Sequence, residues 1–165
     1  MVALSSPVLG AIADNWGSRK RIMLVSTLVC VTATALLFFP QQGQVLLALT
    51  LFIIANIAFE IGTVFCNAYL AELSSEKRIG KVSGMAWGLG YIGGLLALVL
   101  ALVFFVQAEQ PILGFSTENG ENIRATNLLV ALWFLIFSQP IFICIKDKHN
   151  TCLLYTSDAA DDDTR

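Results

Sequence analysis

Apolar residues along this chain fall into long blocks, and the polar residues gather between them. Residues 22–40 form an apolar run of 19 without a charge, and residues 45–70 form a second that contains one acid, Glu60. Residues 83–106 and 127–145 form a third and a fourth, both uncharged. Each is about long enough to cross the roughly 30 Å hydrocarbon core of a bilayer at 1.5 Å per residue. Helices are the expected form, because lipid offers backbone N–H and C=O groups no partner and a helix satisfies them internally. Residues 1–13 are apolar but too short to span, and read as the final turns of a helix whose start is absent. The expected fold class is all-α, a polytopic transmembrane helical bundle, with residues 1–149 as one partial transmembrane domain.

The connectors set topology. Gln41, Gln42, Gly43 and Gln44 make a tight uncharged link, so helices 22–40 and 45–70 should form an antiparallel hairpin. Residues 72–82 carry Lys77, Arg78 and Lys81, while residues 107–126 carry Glu109, Glu118, Glu121 and the single base Arg124. Lys146 and Lys148 follow the last helix. With four crossings, Arg19, Lys20, Arg21, Lys77, Arg78, Lys81, Lys146 and Lys148 fall on one side and Arg124 on the other. Short loops rich in Lys and Arg stay in the cytoplasm, so the cationic side is expected there.

Composition narrows the class. Of 165 residues, 56% are hydrophobic and 13% charged, and mean hydropathy is +0.74. A soluble domain averages about 25% charged residues, so a water-soluble fold would lack polar surface to cover itself. The net charge of −2 misleads, because Asp158, Asp161, Asp162 and Asp163 stand at the very end. Residues 150–165 break character and read as a non-native or disordered tail, outside the fold. No basic patch interleaves with aromatics, so nucleic acid is not an expected partner. Cys30, Cys66, Cys144 and Cys152 share no C-x-x-C spacing, and His149 is the one histidine. Neither a metal site, a disulfide framework nor a cofactor is expected, and no nucleophile–base constellation suggests an enzyme.

Polar chemistry inside the spans is sparse and therefore informative. An acid at a helix centre costs about 2.5–3.5 kcal/mol on insertion scales, so Glu60 should face a bundle interior or a water-filled cavity. Asn56, Glu60, Thr63 and Asn67 fall within an arc of roughly 60° at 100° per residue. Such a stripe either lines a substrate or ion path or fixes packing through interhelical hydrogen bonds. Proton coupling is a further role for Glu60. In helix 83–106, Gly84 and Gly88, and Gly90 and Gly94, stand four apart, with Gly93 between the latter two. Glycines let helix backbones approach closely, so helix packing is their expected role. Pro140, after Gln139, should interrupt helix 127–145. Trp16 and Trp87 suit anchoring at the membrane–water boundary.

Residues 10–21 read GAIADNWGSRKR, placing Gly10, Asp14 and Gly17 in the order G-x-x-x-D-x-x-G before Arg19, Lys20 and Arg21. The glycines permit a tight reversal. Asp14 is suited to capping a helix or pairing with a guanidinium. The cations hold the chain at an anionic leaflet. This stretch resembles the cytoplasmic loop between helices 2 and 3 of major facilitator superfamily transporters. Ser18 stands where that family usually has Arg. Residues 67–98, containing EKRIGKVSG and then WGLGYIGG, are similar to the helix 4–5 region of the branch holding autophagy-type vacuolar amino-acid effluxers and their bacterial relatives. Gly90, Gly93 and Gly94 resemble part of the superfamily's helix 5 antiporter motif, with Tyr91 in place of its proline.

The resemblance implies a partial amino-terminal half, from the end of helix 2 through helix 6, of a roughly twelve-helix carrier. It implies a conformational lock at Asp14, supported by Arg19 and Lys20. It also implies secondary active transport of a small solute, amino acids among the candidates, by alternating access. Expected partners are the lipid bilayer, the solute, protons and a missing carboxyl-terminal half. The membrane would be the inner membrane if the source is bacterial and the vacuolar membrane if it is fungal. A structural or interaction subunit of a membrane complex is the alternative.

Overall fold

A computed structural model describes residues 19–75, 77–107 and 119–144, together with Gly114 and Thr117. Gly10, Asp14, Gly17, Lys146 and Lys148, the segment 1–13 and the tail 150–165 lie outside the described residues. Among the described residues four helices follow one another: α1 over Arg19–Leu36, α2 over Val45–Leu73, α3 over Ile79–Ala101 and α4 over Glu121–Cys144. A π-helical turn, Leu102–Val106, continues α3. No strand occurs among the described residues.

Charged residues join the helices where the hydropathy pattern excludes them. α1 already includes Arg19, Lys20 and Arg21, ahead of residue 22. α3 takes in Lys81 and starts at Ile79 rather than 83. α4 starts at Glu121 rather than 127. An acid in the first turn suits the dipole, and Gly120 enters that helix with φ +64°. α1 stops at Leu36, short of residue 40. Leu37, Phe38 and Phe39 tighten into successive i→i+3 turns, as a chain about to meet Pro40 must, since the residue before proline avoids the α region.

That early stop changes the count of spans. Among the described residues, three helices are long and apolar enough to cross a membrane: Val45–Leu70, Ile79–Val106 and Glu121–Cys144. α1, expected as a fourth, carries three cations in its 18 residues. Its uncharged part, residues 22–36, rises only about 22 Å, short of the roughly 30 Å hydrocarbon core.

α1 packs against both α2 and α4, and α3 makes only sparse contacts with α2 and α4. Gly43, at φ +94°, closes the α1–α2 turn, where the Gln41 amide donates to Gln44 Oε1 at 3.2 Å. Met23, Phe65 and Tyr69 form the core cluster, with Ile22, Ile61, Ile141 and Phe142 packed on it. The start of α1 therefore meets the ends of α2 and α4. At the opposite end, Arg124 Nη1 donates to the Pro40 carbonyl at 3.2 Å. The described cations other than Arg124 thus share one end of the bundle, and Arg124 stands at the other. Most large apolar side chains are exposed, and α3 buries none, which is the pattern of a surface solvated by lipid.

Candidate functional site

α2 is the element around which polar groups collect. Its buried positions, Ala55, Ala58, Phe65 and Tyr69, face the packed side of the bundle. Asn56, Glu60, Thr63 and Asn67 lie on the opposite side, centred about 160° away at 100° per residue. Asn56, Glu60 and Asn67 are exposed and Thr63 is half-buried. Asn56 Nδ2 donates to the Phe52 carbonyl at 2.9 Å and Thr63 Oγ1 to the Phe59 carbonyl at 3.0 Å. Thr63 thus spends its donor on its own helix and Asn56 one of its two, leaving the amide and hydroxyl oxygens as acceptors.

Two cavities run along this helix. The smaller, about 300 Å³, is lined by Met23, Thr27 and Cys30 of α1, by Gly62, Thr63, Cys66 and Asn67 of α2, and by Ser138 and Ile141 of α4. The larger, about 1360 Å³, is lined by Thr34, Asn56, the glycines Gly90, Gly93 and Gly94, the π turn at Leu102 and Val106, and Thr126 and Asn127. Cys30, Phe59, Phe134 and Phe137 belong to both walls. These four residues therefore form a shared wall between the two cavities. Phe59 and Phe134 stand there with ring centroids 5.8 Å apart, tilted at 57°.

Near the smaller cavity α4 runs through Pro140 as one unbroken helix rather than being interrupted there, although Pro140 has no N–H for the Ile136 carbonyl. One turn earlier, Ser138 Oγ and Gln139 Nε2 both donate to the Leu135 carbonyl, at 3.0 and 3.1 Å. Ser138 thus presents an acceptor oxygen to the cavity as Thr63 does. The polar lining is neutral: Thr27, Thr63, Asn67 and Ser138, in a wall that is otherwise mostly apolar. Such a lining sets hydrogen-bond acceptors among sulfur, methyl and ring surfaces.

The stripe read from the sequence divides on folding. Asn56 lines the larger cavity, and Thr63 and Asn67 line the smaller. Glu60 lines neither, because it is the stripe member turned furthest from the packed face. Gly84, Gly88, Gly90, Gly93 and Gly94 also depart from expectation: a Cβ at any of them would meet nothing within 4 Å. They pack against no described element, because α3 lies with its face open. Gly62, unremarked in the sequence, is the glycine at a helix contact, with Ser26 Oγ 3.3 Å from where its Cβ would be. Thr27 and Ser138 were also missed. Nothing distinguishes a hydroxyl inside an uncharged run until a neighbouring helix shows which way it faces.

The model of the family "Vacuole effluxer Atg22 like" matches residues 1–157. The chain is 29% identical to an MFS-type transporter of Bacillus subtilis (strain 168) over 149 residues, 90% of this chain and 34% of that protein. It is 25% identical to an MFS-type transporter of Schizosaccharomyces pombe over 165 residues, 97% of this chain and 35% of that protein. The chain therefore spans about a third of the length of these relatives. No solved structure matches it.

Proposed function

Because the chain belongs to the vacuole effluxer Atg22-like family of MFS-type transporters, we propose that it forms part of the amino-terminal half of a secondary transporter. In this reading the two adjoining cavities along α2 are part of the path of a small polar solute. That adjacency, with Asn56, Thr63 and Asn67 in the walls and the Phe59–Phe134 pair between them, is the observation that carries the proposal. Hydroxyl and amide oxygens in an otherwise apolar wall favour a solute that brings its own N–H or O–H donors. Amino acids fit that chemistry.

Two halves rocking about a midplane site would expose the path alternately. Asp14, with Gly10, Gly17, Arg19, Lys20 and Arg21, would hold one of the two states. Glu60, turned away from both cavities, would serve as a coupling carboxylate or contact the other half. The cationic end of the bundle would face the cytoplasm, with Lys20 and Lys77 on that side.

The test is efflux of labelled neutral, acidic and basic amino acids from liposomes holding the full-length transporter. Release above that of empty liposomes, reduced by Thr63→Val or Asn67→Leu, supports the path. Release that neither variant changes removes these residues from it. Side-specific labelling that puts Lys20 and Lys77 on opposite faces of the bilayer overturns the topology.

A further inference from the structure

α3 does not end as an ordinary helix. Its last turn, Leu102–Val106, is π-helical, and the Gln107 amide closes onto the Leu102 carbonyl at 2.8 Å. A π turn holds one residue more than an α turn and occurs mainly as isolated single turns, so a neighbouring group is needed to favour it. Asn122 is placed to do so. It is buried, with 6% of its surface exposed, and its Nδ2 donates to the Phe105 carbonyl at 3.0 Å, inside the π turn. Two positions on, Arg124 Nη1 donates to the Pro40 carbonyl at 3.2 Å. Positions two apart point about 200° apart on a helix, so the first turn of α4 grips two different connectors at once.

The two grips differ in what they hold. Arg124 reaches the end of an α1–α2 turn already closed by hydrogen bonds between Gln41 and Gln44. Asn122 reaches a turn that has an alternative register available to it. Leu102 and Val106 line one side of the larger cavity at this end, and Ile123, Thr126 and Asn127 line the other. The Asn122–Phe105 bond therefore ties together the two walls of the cavity's mouth.

We propose that Asn122 is the latch of this mouth and that the π turn is its moving part. When the Asn122 bond to Phe105 opens, Gln107 re-pairs in α-helical register and the wall carrying Val106 turns away from Thr126. Packed elements switch between such discrete arrangements rather than deform smoothly. The importance of the mouth for transport rests on the path proposed above. The latch itself is a statement about geometry and is tested without any solute.

The experiment uses the full-length protein in lipid, in a cysteine-free background, with spin labels at Val106→Cys and Thr126→Cys. Pulsed dipolar spectroscopy should give one dominant distance with Asn122 in place. Asn122→Leu keeps the size and removes the donor, and should raise a longer-distance population about fivefold, as expected for losing one ordinary hydrogen bond. Identical distance distributions would overturn the latch. Should Asn122→Leu not assemble, hydrogen exchange on the unaltered protein decides. Amides 104–107 should open as one unit, about tenfold faster than those of Ile79–Ala101, as a separate low-stability segment does. Protection that continues unbroken through Gln107 would overturn the proposal.

Discussion

Ser26 and Gly62 hold α1 and α2 together at close range: a methyl group placed on Gly62 would lie 3.3 Å from Ser26 Oγ. Ser26 is itself fixed, donating to the Met23 carbonyl at 2.9 Å. Met23, Thr27 and Gly62 all line the smaller cavity. The contact that packs the hairpin therefore also sets the width of the smaller cavity. Small residues serve here because lipid tails are as apolar as leucine, and helices associate by close fit rather than by escape from water.

Gly62→Val should lower the melting temperature of the detergent-solubilised full-length protein, with overpacking that costs about 1–3 kcal/mol. Gly62→Ala should be close to neutral, because the helix-propensity gain of about 1 kcal/mol offsets a small displacement of Ser26. Adding Ser26→Ala to Gly62→Val should recover part of the loss. A Gly62→Val protein that melts with the parent would show that the helices do not meet there.

Arg124→Gln should also destabilise, through loss of a charged hydrogen bond to Pro40 of about 1.5–3 kcal/mol. Arg124 Nε is buried without a partner, which already subtracts from what the guanidinium contributes. Arg124→Lys keeps the charge and brings no Nε, so it should fall between the two. Thermal melting with proteolysis at residues 41–44 reads the effect. Equal cleavage in all three proteins would dissociate Arg124 from the hairpin turn.

Glu60→Gln should reduce coupled transport several-fold while expression and melting stay unchanged. An exposed carboxylate on a span, away from the packed face, has little to contribute to the stability of the described bundle. The check is uptake and efflux in proteoliposomes across pH 5–8. Rates that keep the parent's pH profile would exclude Glu60 from coupling.

Asp14→Asn should shift the carrier toward its inward-open state, because the neutral amide no longer holds a cation. Cysteine accessibility measured separately from each side of the membrane reports the balance. Identical labelling of parent and variant would refute a lock at this position.

Much of this protein was legible as a string. The four helices, the hairpin at residues 41–44 and the polar face of α2 all follow from spacing alone. The helix ends did not, because a run of uncharged residues marks where lipid begins and not where hydrogen bonding stops. Arg19, Lys81 and Glu121 are helical although they are charged. The fates of Glu60 and the α3 glycines were equally hidden. Periodicity assigns residues to a common face, but which face meets a neighbour depends on the neighbour's position.

The order of polar and apolar positions thus determined the class of the molecule, the number of its helices and their alternating direction, since each is a local consequence of burying backbone in hydrocarbon. Only the tertiary structure decided which hydroxyls share a cavity, that Phe59 meets Phe134, that Gly62 receives Ser26, and that Asn122 holds a π turn. Those are relations between residues distant in the chain. They depend on the rotation and depth of one helix against another, which no single segment specifies.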